Sequence, residues 1–169
     1  TYGTAGFGSP FHIAGEYFKQ RTGVDMTHVP FNGGGPLAQA LLGGHIKLAV
    51  STMSSITPYV QDGSVHVIAV MDKERSADMP NVQTVSETVP DIESSAWSAF
   101  MAPAGTPKPI IDRLNGVITR ALTSPDNSAK IAAIGQTVMV NAPEATTELI
   151  KREQKQWGDV IRASGIEPQ

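Results

Sequence analysis

The residues best suited to chemistry lie in three short turns. The first is Gly3-Thr4-Ala5-Gly6-Phe7-Gly8-Ser9-Pro10, with His12 three residues beyond Ser9. Its glycines let the backbone approach a ligand closely. Ser9-Pro10 opens a helix whose unpaired N–H groups and positive dipole end face the same space, an arrangement that favours an anion. Two sharper anion motifs do not fit. A Walker loop requires Gly-Lys-Ser/Thr, and the dinucleotide fingerprint G-x-G-x-x-G is here G-x-x-G-x-G with no acidic residue at the expected later position. With no Lys or Arg nearby, the neutral donors suit a carboxylate better than a phosphate. The same residues also fit a plain tight turn in which Ser9 only caps a helix. A further alternative is a small hydrolase using Ser9 and His12 as a nucleophilic pair. That chemistry would still need an orienting carboxylate and an oxyanion hole, and no G-x-S-x-G elbow is present.

The second turn, Phe31-Asn32-Gly33-Gly34-Gly35-Pro36, offers an aromatic wall, an amide side chain and another helix start. The third, Ser51-Thr52-Met53-Ser54, follows a buried-strand pattern. No Asp, Glu or Lys falls in any of the three, so their lining suits binding rather than acid–base catalysis. His28, His45 and His66 sit on separate segments without metal-ligand spacing and read as ordinary histidines. No metal site and no cofactor is expected.

The elements that must position these turns follow from periodicity. A helix starts at Pro10 with Phe11, Ala14, Tyr17 and Phe18 on one face and stops at Gly23. Met26 to Val29 is a short strand closed by Pro30, and a second helix runs through Leu42 to the stop Gly43-Gly44. Ile46 to Val50 and Val65 to Met71 read as buried strands, with a short helix over Ile56 to Gln61 between them. Strand, turn, helix, strand is the grammar of a parallel α/β sheet, in which ligands bind beyond the carboxyl ends of the strands, so all three turns are expected at one mouth. Further on, Thr84-x-x-Glu87 has capping-box spacing, and Ser94 to Ala102 is strand-like. A helix follows with Thr106 as cap and Pro107 at its first position, carrying an apolar stripe through Ile110, Leu114 and Val117. Lys130 to Ile134 is helical up to Gly135, Thr137 to Val140 a short strand, and Pro143 to Ser164 a long helix. The expected boundary lies near Trp97 to Pro103, dividing a ligand-binding α/β lobe over 1–100 from a mainly helical part over 101–169.

Composition narrows the function classes. The chain has 169 residues, 40% of them hydrophobic and 17% charged, which excludes disorder, coiled coil and collagen-like structure. With 13 Lys+Arg against 16 Asp+Glu the net charge is −3, and without a basic cluster nucleic acid and anionic membrane are poor partners. The absence of cysteine excludes disulfides and thiolate chemistry without fixing the compartment. The apolar runs are too short for membrane insertion. Two long amphipathic helices after Pro103 with one short strand leave too little sheet to bury both stripes, and Thr1-Tyr2 reads as a strand stub. A missing N-terminal portion with further strands is therefore expected, and the exposed stripes make self-association, as a bare interaction module, a third reading.

Four ordered stretches carry a resemblance: Tyr2 to Pro10 with His12; Val29-Pro30-Phe31-Asn32-Gly33-Gly34-Gly35-Pro36 followed by Leu41-Leu42-Gly43-Gly44; Met79 to Val85; and Phe100-Met101-Ala102-Pro103-Ala104-Gly105-Thr106-Pro107. Together they resemble the periplasmic solute-binding receptors of tripartite tricarboxylate transporters, the Bug family. The resemblance implies a type II periplasmic-binding-protein-like fold: one mostly parallel α/β lobe, with the C-terminal helices belonging to a second, incomplete lobe. It implies a periplasmic, non-enzymatic receptor that delivers a small carboxylate to membrane transporter subunits. The expected ligand-binding residues are Thr4, Ala5, Gly6, Gly8, Ser9, His12, Phe31, Asn32, Gly33, Ser51 and Thr52. Where many members carry Asp-Asn after the buried strand, Ser51-Thr52 stands here, which favours a plain mono- or dicarboxylate over an amino acid.

Overall fold

The computed structural model describes residues 1–76, 79–133 and 136–167. The chain forms two compact units, Thr1–Trp97 with Asp159–Gln169, and Ser98–Gly158.

The first unit is built on strand β1 (Tyr2–Thr4), which pairs in parallel with β2 (His28–Pro30) in the register Tyr2–His28, Gly3–Val29, Thr4–Pro30. On its other edge Gly3 forms a parallel bridge with Ala49. All three residues of β1 are buried, as expected of a parallel strand covered on both faces. Two glycines make this possible. A Cβ on Gly3 would stand 2.5 Å from Ile46 Cδ1 and 2.8 Å from Leu37 Cδ1, and a Cβ on Gly15 would run into the Tyr2 ring. Leu37, Ala40 and Ile46 form the core on the Gly3 side, with Val29, Phe31 and Ala49 packed against them.

Helix α1 (Pro10–Thr22) starts where its sequence signals place it. Ser9 caps by accepting the His12 N–H, Pro10 takes the first position, and Gly23 closes the helix at φ 70° with its N–H on the Lys19 carbonyl. Its inward face, however, is His12, Ala14 and Gly15 rather than the aromatic positions. Helix α2 (Gly34–Leu42) ends in a Schellman motif: the Gly44 N–H reaches the Leu41 carbonyl and the His45 N–H the Ala40 carbonyl. Helix α3 (Met53–Gln61) begins earlier than the expected Ile56, directly after Thr52. The expected cap at Thr84 is present, with the Glu87 carboxylate accepting the Thr84 N–H at 2.8 Å ahead of a short 3₁₀ turn over Val85–Glu87. Tyr17 Oη donates to the Asp91 carbonyl at 2.8 Å and Arg21 to the Pro90 carbonyl at 3.0 Å, anchoring the segment that buries Ile92.

Several expected strands are not formed. From Ile46 to Val50 only Ala49 bridges, and from Val65 to Met71 only Val70, which pairs with Thr84. Ile68 in the latter run is 68% exposed. Ser94 to Ala102 and Thr137 to Val140 form no strand at all. An apolar run records what its side chains prefer, whereas a ladder also requires a neighbouring backbone along its length: among the described residues the first two runs meet one only around Ala49 and Val70, and the last two form no bridge.

The second unit holds α4 (Lys108–Leu122), α5 (Pro125–Ala133) and most of α6 (Pro143–Ser164). Pro107 occupies the N-cap position of α4 rather than its first turn, and the expected cap Thr106 instead donates its hydroxyl to the Pro103 carbonyl at 2.8 Å. The expected helix end at Ile134 and Gly135 lies outside the described residues. Lys108 pairs with Asp112 at 2.8 Å and Glu144 at 3.6 Å, and Asn115 Nδ2 donates to the Asn141 carbonyl at 3.1 Å. No described residue from 98 to 158 is fully buried. No described helix is long and apolar enough to cross a membrane.

Candidate functional site

Parallel pairing puts the ends of β1, β2 and the Ala49 segment on one side, so the three turns that follow them open together. Two contacts join them. The Gly33 N–H donates to the Ala5 carbonyl at 3.1 Å, linking the first turn to the second. A Cβ on Gly34 would stand 3.2 Å from Ser55 Oγ, so the second turn lies against the start of α3. At the mouth, the first two amides of α2 (Gly34, Gly35) and of α3 (Met53, Ser54) precede any intrahelical acceptor.

The first turn is held by its own side chains. The Gly6 carbonyl accepts from both the Thr4 hydroxyl at 3.0 Å and the Ser9 hydroxyl at 2.8 Å. Gly8, at φ 66°, turns its N–H back onto His12 Nδ1 at 3.0 Å. Thr4 Oγ1 also lies 2.8 Å from His28 Nε2. A hydroxyl both donates and accepts, so this contact forms with either tautomer of the neutral His28 ring. His12, accepting the Gly8 N–H at Nδ1, carries its proton on Nε2 when neutral. The two imidazoles stack with centroids 3.7 Å apart and planes 13° from parallel. The Phe7 ring lies 4.9 Å from His12 on the loop side, and Tyr2 lies 5.1 Å from His28 on the core side. Beneath them Tyr2 Oη donates to Glu16 at 2.7 Å, and Lys19 reaches both oxygens of that carboxylate at 2.9 Å.

Charge is kept away from the mouth. Burial pushes the His12 imidazole down, with Glu16 partly offsetting it. Burial, followed by the neighbouring His12, takes His28 down to about 4. Both rings are therefore neutral near pH 7. Burial opposes ionisation of Glu16, yet the hydrogen bonds from Tyr2 and Lys19 outweigh it and hold the carboxyl low. Burial, seconded by the same contact, raises the Tyr2 phenol.

Each expected site residue can now be placed. Thr4, Gly6, Gly8, Ser9 and His12 form one bonded unit, and Ala5 connects it to Gly33. Phe31 packs against the Leu37, Ala40 and Ile46 core, so its ring supports the second turn from below. Asn32 is exposed at the lip. Ser51 and Thr52 are half-buried at the third turn, with Thr52 Oγ1 2.9 Å from Ser55 Oγ. The hydrolase arrangement is not formed. The Ser9 hydroxyl donates to Gly6 and accepts the His12 backbone N–H at 3.3 Å, and both nitrogens of the His12 ring are committed, Nδ1 as acceptor and Nε2 as proton carrier. His12 is also only 4% exposed, beneath the loop rather than lining an open cleft. The residue that sequence reasoning passed over is His28. Its importance comes from the register that sets it beside Tyr2, and no local spacing encodes a parallel register.

Comparison with known proteins places this geometry. The chain is 34% identical over 159 residues to Protein BugT of Bordetella pertussis, covering 94% of this chain and 49% of that protein. It is 34% identical over 169 residues to a UPF0065 protein of Agrobacterium vitis, covering 98% of this chain and 49% of that one. It therefore spans about half the length of these curated relatives. Among solved structures, R. palustris Rpa4515 with adipate superposes with a TM-score of 0.83 at 30% identity, over 99% of this chain and 56% of that one. MatC (Rpa3494) from Rhodopseudomonas palustris with bound malate gives a TM-score of 0.71 at 31% identity, over 95% of this chain and 56% of that one. The family described as the tripartite tricarboxylate transporter family receptor matches residues 1–166. By that match, which leaves out only the last three residues, the chain belongs to the tripartite tricarboxylate transporter receptor family.

Proposed function

We propose that this chain is the ligand-gripping part of a periplasmic solute-binding receptor that captures a small mono- or dicarboxylate and hands it to tripartite transporter subunits without altering it. The observation that carries the reading is the convergence of three turns and the open amides of two helix starts at one mouth where the described residues place no acid, base or nucleophile in a reactive arrangement. Neutral, fixed donors stabilise a carboxylate that keeps its charge. The bound adipate and malate of the two similar structures favour a dicarboxylate. Ser51-Thr52 offers no carboxylate for a ligand ammonium group, which disfavours amino acids. Residues 1–100 are read as the lobe that holds the ligand and 101–169 as part of the opposing lobe.

Energetics set the scale. About three charge-assisted hydrogen bonds from one face supply roughly 5–9 kcal/mol gross. Association costs about 4 kcal/mol or more, and micromolar affinity needs about 8 net. Titration calorimetry with adipate and malate should therefore give millimolar or weaker binding for this chain alone, and affinity higher by several orders of magnitude for a receptor of full family length carrying it. A full-length receptor with no affinity for either acid, or one whose ester hydrolysis disappears with Ser9→Ala, would overturn the reading.

A further inference from the structure

We propose that His12, stacked on His28, forms a latch beneath the Thr4–Ser9 loop that closes only while His12 Nδ1 is unprotonated, and that a proton arriving there releases the Gly8 end of the loop. The inference rests on reading that loop as the carboxylate-receiving one and adds to it a regulation by acidity.

The geometry makes the two rings unequal. His12 Nδ1 accepts the Gly8 N–H at 3.0 Å, and Gly8 is the left-handed residue on which the loop reverses. A proton on that nitrogen turns an acceptor into a donor facing another donor, so the bond is lost rather than weakened. His28 meets Thr4 Oγ1 through Nε2, and because a hydroxyl can accept as well as donate, that contact survives protonation of His28. Its effect acts through the stack. At 3.7 Å between centroids a charge on either ring opposes a charge on the other, and the pair takes up protons in two steps. The charged and titratable groups facing the stack are the Tyr2 phenol from β1 and Glu16 and Lys19 from α1. Glu16 favours a proton on both rings and Lys19 opposes it. Phe7 covers the loop side and brings no charge. The Thr4 and Ser9 hydroxyls still bond the Gly6 carbonyl, so the loosening centres on the reversal at Gly8.

The test is a pH titration of the uniformly ¹⁵N-labelled chain by NMR, following the imidazole nitrogens and the Gly8 amide together. At neutral pH the His12 Nδ1 resonance should be that of an unprotonated acceptor. On acidification the Gly8 amide should shift, and lose its protection from hydrogen exchange, with the same midpoint as the His12 ring. His12→Asn places a non-titrating carbonyl oxygen where Nδ1 stands, so the Gly8 step should disappear. Should that variant fail to fold, His28→Gln retains His12 and the donor to Thr4, and the shared midpoint must persist. A Gly8 amide that stays put through the His12 titration, or a step that survives in His12→Asn, overturns the latch. In a full-length receptor, adipate affinity should fall as His12 protonates. Affinity that rises would mean an imidazolium contacting the carboxylate directly, and would likewise overturn it. Absence of carboxylate binding at every pH would count against the proposed function alone, because the ring and amide titration needs no ligand.

Discussion

The two units of this chain have similar hydrophobic content and opposite fates. In the first, Tyr2, Leu37, Ile46 and Ile92 are almost completely buried around a strand covered on both faces. In the second, Ile110, Leu114 and Val117 repeat at helical spacing along α4, yet they stay 50%, 45% and 48% exposed. The difference is one of partners. A helix stripe contributes stability only in proportion to the apolar area it removes from water, about 25 cal/mol per Å², and among the described residues the second unit's helices have no sheet to lie on. The first unit is stabilised by its packing, while the second is held largely by local helix signals and surface ion pairs.

That contrast can be broken by substitution. The largest effect should come from Leu37→Ala, which removes a side chain 2% exposed from the core and should cost ~2–5 kcal/mol in urea unfolding. Gly15→Ala should cost ~1–3 kcal/mol, because the added methyl meets a Tyr2 ring that Glu16 prevents from moving aside. Acid should erode the first unit selectively. His12 and His28 are both depressed below the ordinary histidine value of 6.5, so the unfolded chain binds protons that the folded one refuses. Stability is then fully present above about 6.5 and declines as the pH falls toward about 4, where His28 titrates. Thermal melts across that range read this directly, and His28→Gln should flatten the decline. Smallest of all should be Leu114→Ala, expected within ~0.5 kcal/mol. If Leu114→Ala instead costs as much as Leu37→Ala, and the cost depends on protein concentration, the α4 stripe is covered by a second copy in solution and the contrast fails.

What the sequence made legible was mostly punctuation. Ser9-Pro10, Gly23, Gly43-Gly44 and Thr84 to Glu87 act through bonds within a few residues, so their roles can be deduced locally. The helix from Pro143 to Ser164 was legible for the same reason: its apolar face repeats over many turns. The strands expected at Ile46, Val65 and Thr137 were not, because a strand exists only when another backbone bonds to it. Pro107 was misplaced because Pro109 also fits the first turn of a helix. At the candidate site, the turns and most of their residues could be listed in advance. The stacked pair could not, because His12 and His28 meet through the pairing of β1 with β2.

The frame of the mouth and its lip are made by different residues. Thr4, Ser9, His12 and His28 bond to one another, whereas among the described residues the side chains of Asn32 and Ser51 bond no neighbour. On the proposed function, mutations at those two positions would reach the ligand space without disturbing the scaffold. If the chain grips a solute as proposed, a lineage would explore new ones there by single substitutions at little cost in foldedness, while the histidines and hydroxyls behind them remain fixed.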